Sequence, residues 1–119
     1  MRIDERIEKY LVDESMKDFM GYGKKIMIFK KPLKIQEKMN KKLDAGKMTM
    51  DVFLKSTKEI IDLLKKDIDK VKDQKEIYEL INFMLKSNEL FYKKMAARSD
   101  EKFYDIITDV GKEIVKEMG

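Results

Sequence analysis

The chain has 119 residues, with 27 Lys or Arg, 23 Asp or Glu, and no His, Cys or Trp. These absences exclude a His base, a Cys nucleophile, a zinc site with imidazole or thiolate ligands, haem held by either residue, and disulfides. The length predicts one domain over residues 1–119, and 43% apolar residues suffice for a folded core. No catalytic residue, metal site or cofactor is therefore expected.

The sequence carries no apolar segment of the length that secretion or membrane crossing needs. Its longest uninterrupted apolar run is Ile26 to Phe29, whereas a bilayer span takes about 20 residues. The start of the chain lacks the apolar centre of a secretory signal, and the absence of Cys fits a reducing compartment. We expect a soluble cytoplasmic protein without a membrane span.

The first 48 residues show a weaker helical pattern than the rest. A helix is predicted over about 3–19, with apolar residues on two nearly opposite faces: Ile3, Ile7 and Tyr10, and then Val12, Met16 and Phe19. Such a helix is either bent or packed between two apolar surfaces, and the second face favours a homo-oligomer. Pro32 suits the first turn of a second helix over about 32–44, which ends at Gly46. The conformation of residues 24–31 stays open.

Residues 49–118 carry three strong helical patterns and form a coiled-coil-like core. The helices are predicted at about 49–72, 74–97 and 100–118. The core-facing apolar residues of the first of these helices, its seam, are spaced alternately by four and three residues. Thr49 suits the N-cap of this helix. This seam consists of Met50, Leu54, Thr57, Ile61, Leu64, Ile68 and Val71. Phe53 and Ile60 widen the apolar stripe, so this helix is expected to contact two neighbours.

A second seam follows, but it is rotated by about 100° from the first. It consists of Ile77, Ile81, Met84, Asn88, Phe91 and Met95. This rotation predicts a break in the helix near Asp73, where Asp73 and Glu76 can form a capping box. Asn88 has two interpretations. As a polar residue on this seam it fixes the register or the oligomeric state, or else it lies half exposed and the apolar stripe continues through Leu85 and Tyr92 instead.

The third seam completes an all-α bundle of four to five helices. It consists of Phe103, Ile107, Val110 and Ile114. Ser99 is its expected N-cap, with Asp100 and Glu101 in the first turn, where the helix dipole favours acids. Gly111 marks either a close helix crossing or neutral drift. The short connections near residues 73 and 98 make neighbouring helices antiparallel.

Charge is the most informative functional feature. Residues 24–47 hold nine Lys and two acids, a net of +7, and the remaining 18 bases and 21 acids give −3, which recovers the total of +4. Such a segment attracts phosphates, an anionic membrane surface or an acidic protein surface, although a solvated lysine face is the alternative. The chain has 24 Lys and three Arg, and this segment has no Arg, the residue preferred for phosphate and base recognition.

The same region is rich in methionine, which packs adaptably around different partners. We expect the N-terminal region 1–48 to bind a protein partner through lysines and an adaptable apolar groove, and the lysines favour an acidic partner. The expected contact residues are Lys24, Lys25, Lys30, Lys31, Lys34, Lys38, Lys41, Lys42, Met20, Met27, Phe29 and Met39. Two alternatives stay open: the methionines fill a loosely specified core, or the lysine cluster 24–47 binds nucleic acid without base readout.

Overall fold

The computed structural model describes residues 28–119, which form four α-helices and one short 3₁₀ turn. The helices are α1 (Lys30–Asp44), α2 (Met50–Asp67), α3 (Lys75–Ala97) and α4 (Phe103–Met118), and the 3₁₀ turn (Ile68–Val71) follows α2. This part of the chain contains no strand, so the predicted all-α helical bundle is confirmed. The helix predicted over about 3–19 lies outside the described residues.

Helix α1 begins two residues before the predicted start and ends where predicted. Pro32 lies in its first turn, where a backbone N–H has no partner within the helix, so proline costs nothing there. At the other end, Gly46 adopts a φ of 70°. The N–H of Lys47 donates to the Lys42 carbonyl at 2.9 Å, and that of Gly46 donates to Leu43 at 3.2 Å. This is a Schellman ending, which requires the left-handed residue.

Thr49 caps α2 as predicted, because its hydroxyl oxygen accepts a hydrogen bond from the N–H of Val52 at 3.3 Å. The α-helix ends at Asp67, and the residues predicted as its last turn adopt the tighter 3₁₀ form. The predicted break follows at residues 72–74. The N-cap of α3 is Gln74, one residue after the expected Asp73.

The prediction that Ser99 caps α4 is wrong: the N-cap is Lys102, and the helix begins at Phe103. The reason is a turn that the side chain of Arg98 closes. Its Nε and Nη2 donate to the two carboxylate oxygens of Glu101 at 2.6 and 2.9 Å, and the N–H of Glu101 donates to the Arg98 carbonyl at 3.0 Å. Glu101 is thereby held in the connection and is not part of the helix.

Helix α2 packs against α1 and α3, and α3 packs against α4. The residues of the second and third predicted seams are buried, and so is most of the first, whose Met50 and Leu54 are partly exposed. Phe53 is 1% exposed, and its ring centroid lies 5.9 Å from that of Phe91 and 5.1 Å from that of Phe103. This cluster, the phenylalanine cluster, joins α2, α3 and α4, and Ile60 is also buried as expected.

Replacing Gly111 with Ala is expected to stabilise the protein. A Cβ at this buried position would lie 4.0 Å from Cζ of Phe91, an ordinary van der Waals contact, so the crossing leaves room for a methyl group. Since glycine costs a helix interior up to about 1 kcal/mol relative to alanine, we expect the melting temperature to rise by about 4 °C by circular dichroism. Gly46→Ala is the control, because its positive φ should make that change destabilising. A fall in melting temperature for Gly111→Ala would contradict this packing.

The Arg98–Glu101 contact makes the stability of the protein depend on the protonation of Glu101. Its hydrogen bonds hold the pKa of the Glu101 carboxyl below its ordinary value and raise the pKa of Arg98. A carboxyl whose folded pKa is lowered stabilises the protein above its unfolded pKa, and this contribution is lost as pH falls through the folded pKa. We expect Arg98→Ala to raise the pKa of Glu101, measured by NMR titration. Lys102→Ala, which removes a neighbouring charge but not these bonds, should move it less; equal shifts would refute the assignment.

Candidate functional site

Helix α1 presents its lysines on one side. At 100° per residue, six exposed lysines fall within an arc of about 120° and extend over about 18 Å of the helix axis. This surface, the lysine face, consists of Lys30, Lys31, Lys34, Lys38, Lys41 and Lys42. The opposite side of the helix carries the buried residues, which are Pro32, Gln36, Met39, Asn40 and Leu43. The face therefore points away from the bundle.

Little negative charge offsets the lysine face. Lys30–Asp44 contains six Lys and two acids, a net of +4. Glu37 lies at the edge of the arc, where one of its carboxylate oxygens is 3.4 Å from the Nζ of Lys41. Both side chains are more than half exposed, and an exposed i,i+4 pair of this kind is worth about 0.3–0.5 kcal/mol. The face as a whole stays positive.

The apolar residues expected beside these lysines do not belong to the surface. Phe29 is 1% exposed, Met39 is 3% exposed, and Met48 is 4% exposed, so all three are part of the core. Phe29 and Met39 therefore fill the core, as the alternative interpretation held, and neither belongs to the candidate binding surface. The expected contact residues Lys24, Lys25, Met20 and Met27 lie outside the described residues.

Two buried polar residues of α1 were not predicted. Gln36 and Asn40 are 3% and 5% exposed, and the Nε2 of Gln36 donates to the Oδ1 of Asn40 at 3.2 Å. Burying an amide is costly unless it is hydrogen-bonded, and a spacing of four residues brings these two side chains together. Their position on the side of the helix opposite the lysines is the sequence feature that could have predicted their burial.

Asn88 lies on the predicted seam and is 6% exposed, so the half-exposed alternative is wrong. Its Nδ2 donates to the backbone carbonyl of Met84 at 2.8 Å, and the hydroxyl of Ser87 donates to the same carbonyl at 2.9 Å. Leu85 is buried as well, so the apolar stripe is wide enough to include both positions. One N–H of the Asn88 amide is therefore hydrogen-bonded within its own helix.

Within residues 28–119, no group of three or more acidic side chains is placed to hold a metal ion. No helix in this range is both long and apolar enough to cross a membrane. Comparisons with protein-family models, with curated proteins and with solved structures give no match for this chain. The site must be interpreted from its own geometry and charge.

Replacing Asn88 with Leu is expected to raise the melting temperature without changing the oligomeric state. The substitution exchanges a buried amide for an apolar side chain of similar size, and the Met84 carbonyl keeps the hydroxyl of Ser87 as a donor. We expect a gain of about 1 kcal/mol in unfolding free energy, measured by thermal and urea denaturation. Light scattering at several protein concentrations reports association. A new oligomer in the variant would show that Asn88 sets the association state.

Proposed function

We propose that this protein is a non-catalytic cytoplasmic interaction module that binds an acidic protein partner through the lysine face of α1. One observation carries the proposal: six lysines are exposed on a single side of one helix, against two acids, Glu37 and Asp44, in the same helix. Such a concentration of one charge sign attracts anionic partners and speeds their association. The module would act as an adaptor, an inhibitor or a small subunit of a larger complex.

Several features favour protein carboxylates over nucleic acid as the partner of this face. Residues 28–47 contain no Arg, so the bidentate contacts by which Arg recognises guanine are missing there. Phe29, the one aromatic residue of that range, is buried and offers no stacking surface. Helix α4 has four acids and two Lys, a net of −2, which repels a polyanion that extends across the molecule.

Sequence-nonspecific nucleic-acid binding is the second candidate. The observation in its favour is that the lysine face lacks an exposed apolar anchor, since Phe29 and Met39 are buried. Contacts to a phosphate backbone require only positioned cations, whereas protein interfaces draw most of their energy from apolar and aromatic residues. Self-association is a further proposal, which rests on the two apolar faces predicted over residues 3–19.

Charge reversal at Lys30, Lys31 and Lys34 to Glu is expected to abolish partner capture in a pull-down while leaving the melting temperature within about 2 °C. All three side chains are exposed, and the first turn of α1 contains no acid, where glutamates suit the helix dipole. The matched control carries Glu at the exposed residues Lys102, Lys112 and Lys116. If the triple variant still captures the partner, the lysine face is not the interface.

Binding to a generic oligonucleotide, and its dependence on salt, separates the two candidates. Six phosphate contacts would lower the affinity for a generic oligonucleotide by about 10³ between 50 and 200 mM salt. Size-exclusion chromatography with light scattering, with and without this oligonucleotide, measures complex formation and self-association together. Co-elution with the oligonucleotide that is lost at 200 mM salt would support the second candidate. Capture of an acidic protein without oligonucleotide binding at 50 mM salt would support the first.

A further inference from the structure

The lysine face of α1 contains no residue other than lysine. At 100° per residue, the other nine residues of this 15-residue helix all fall outside the arc of about 120° that the six lysines occupy. The nearest apolar residue, Ile35, lies about 20° beyond the arc and is partly buried against the core. A partner helix or a folded apolar surface therefore finds no side chain within this arc against which it can pack.

Most of the positive charge of the lysine face is not neutralised by this chain. Among the described residues, only Lys41 of the six lysines is ion-paired with a carboxylate, which belongs to Glu37. All six side chains are exposed. Taking several ammonium groups out of water is costly unless each gains a partner of opposite charge. The face therefore suits a partner that supplies carboxylates and leaves the lysines largely hydrated.

Four lysines of the face form a column along the helix axis. They follow one another at intervals of four residues, which gives a rise of about 6 Å and a turn of about 40° per step. In an extended chain, alternate side chains point to the same side and are about 6.6 Å apart. The flexible lysine side chains can take up the difference and the turn. The column consists of Lys30, Lys34, Lys38 and Lys42.

We propose that the lysine face binds an extended acidic segment of a partner protein, with Asp or Glu at alternate positions. This inference rests on the proposed function and specifies its partner. Four such acids extend over about 20 Å, against about 18 Å for the column, so each carboxylate can pair with one ammonium group. Docking of an amphipathic helix, by contrast, needs apolar anchors that the arc lacks.

Two fluorescent peptides of about 13 residues test the spacing with the full chain, by anisotropy at about 50 mM salt. Both contain four Glu and the same numbers of Ala and Ser. One has its Glu at alternate positions, and the other has them four residues apart. When extended, the second peptide places its acids about 13 Å apart, so only two of them fit the column. The alternate peptide should bind about tenfold more tightly, because it makes two further ion pairs.

Variants of the protein locate the peptide. Lys34→Ala combined with Lys38→Ala removes the two central ammonium groups of the column and should weaken binding of the alternate peptide about tenfold. Lys112→Ala combined with Lys116→Ala, the matched change at exposed lysines of α4, should leave affinity within about twofold. Alanine is favoured in helices, so both double variants should keep the helical circular dichroism spectrum of the unmodified chain.

Three results would overturn this proposal. The first is tighter binding of the peptide with four-residue spacing, which aligns its acids only as a helix, and the second is an equal loss in both double variants. The third is tighter binding of a generic oligonucleotide of the same net charge. If neither peptide binds but a folded acidic protein is still captured, this proposal fails and the proposed function stands. If no acidic protein is captured either, both fail.

Discussion

The contact of Phe53 with Phe91 and Phe103 is the constraint on which the described bundle depends. One side chain of α2 touches rings from both α3 and α4, with centroid distances of 5.9 and 5.1 Å. Aromatic pairs in edge or tilted arrangements contribute about 0.5–1.5 kcal/mol beyond the area that they bury. Because α4 follows α3 through a short turn, fixing Phe103 against Phe53 also determines where α4 must begin.

The position of α4 in turn holds the end of α1. The hydroxyl oxygen of Tyr104 accepts a hydrogen bond from the N–H of Met48 at 2.9 Å and lies 3.3 Å from the carbonyl oxygen of Leu43. The Leu43 carbonyl, which already accepts the N–H of Gly46, thereby gains a second donor from another helix. The ring of Tyr104 packs edge-on against Phe103, which links the phenylalanine cluster to the helix that carries the lysine face.

The helices of residues 49–118 were predictable because their apolar spacing alone determines which side is buried. Spacings of four and three residues place Ile60, Leu64 and Val71 on one side in any bundle, and these residues are 0% exposed. The outward position of the α1 lysines was predictable for a related reason, since an unpaired ammonium group is very costly to bury.

The sequence by itself determined the helical class, the break before α3, the Thr49 cap and the charge of α1, because each depends on residues within a few turns of one another. Only the tertiary structure decided whether Phe29 and Met39 lie on the surface or in the core, since an apolar side chain suits either place until its neighbours are known. It also decided that α4 starts at Phe103 and not after Ser99. There, Phe103 packs against Phe53, and Arg98 binds Glu101 within the connection, so Ser99 lies in the turn before the helix.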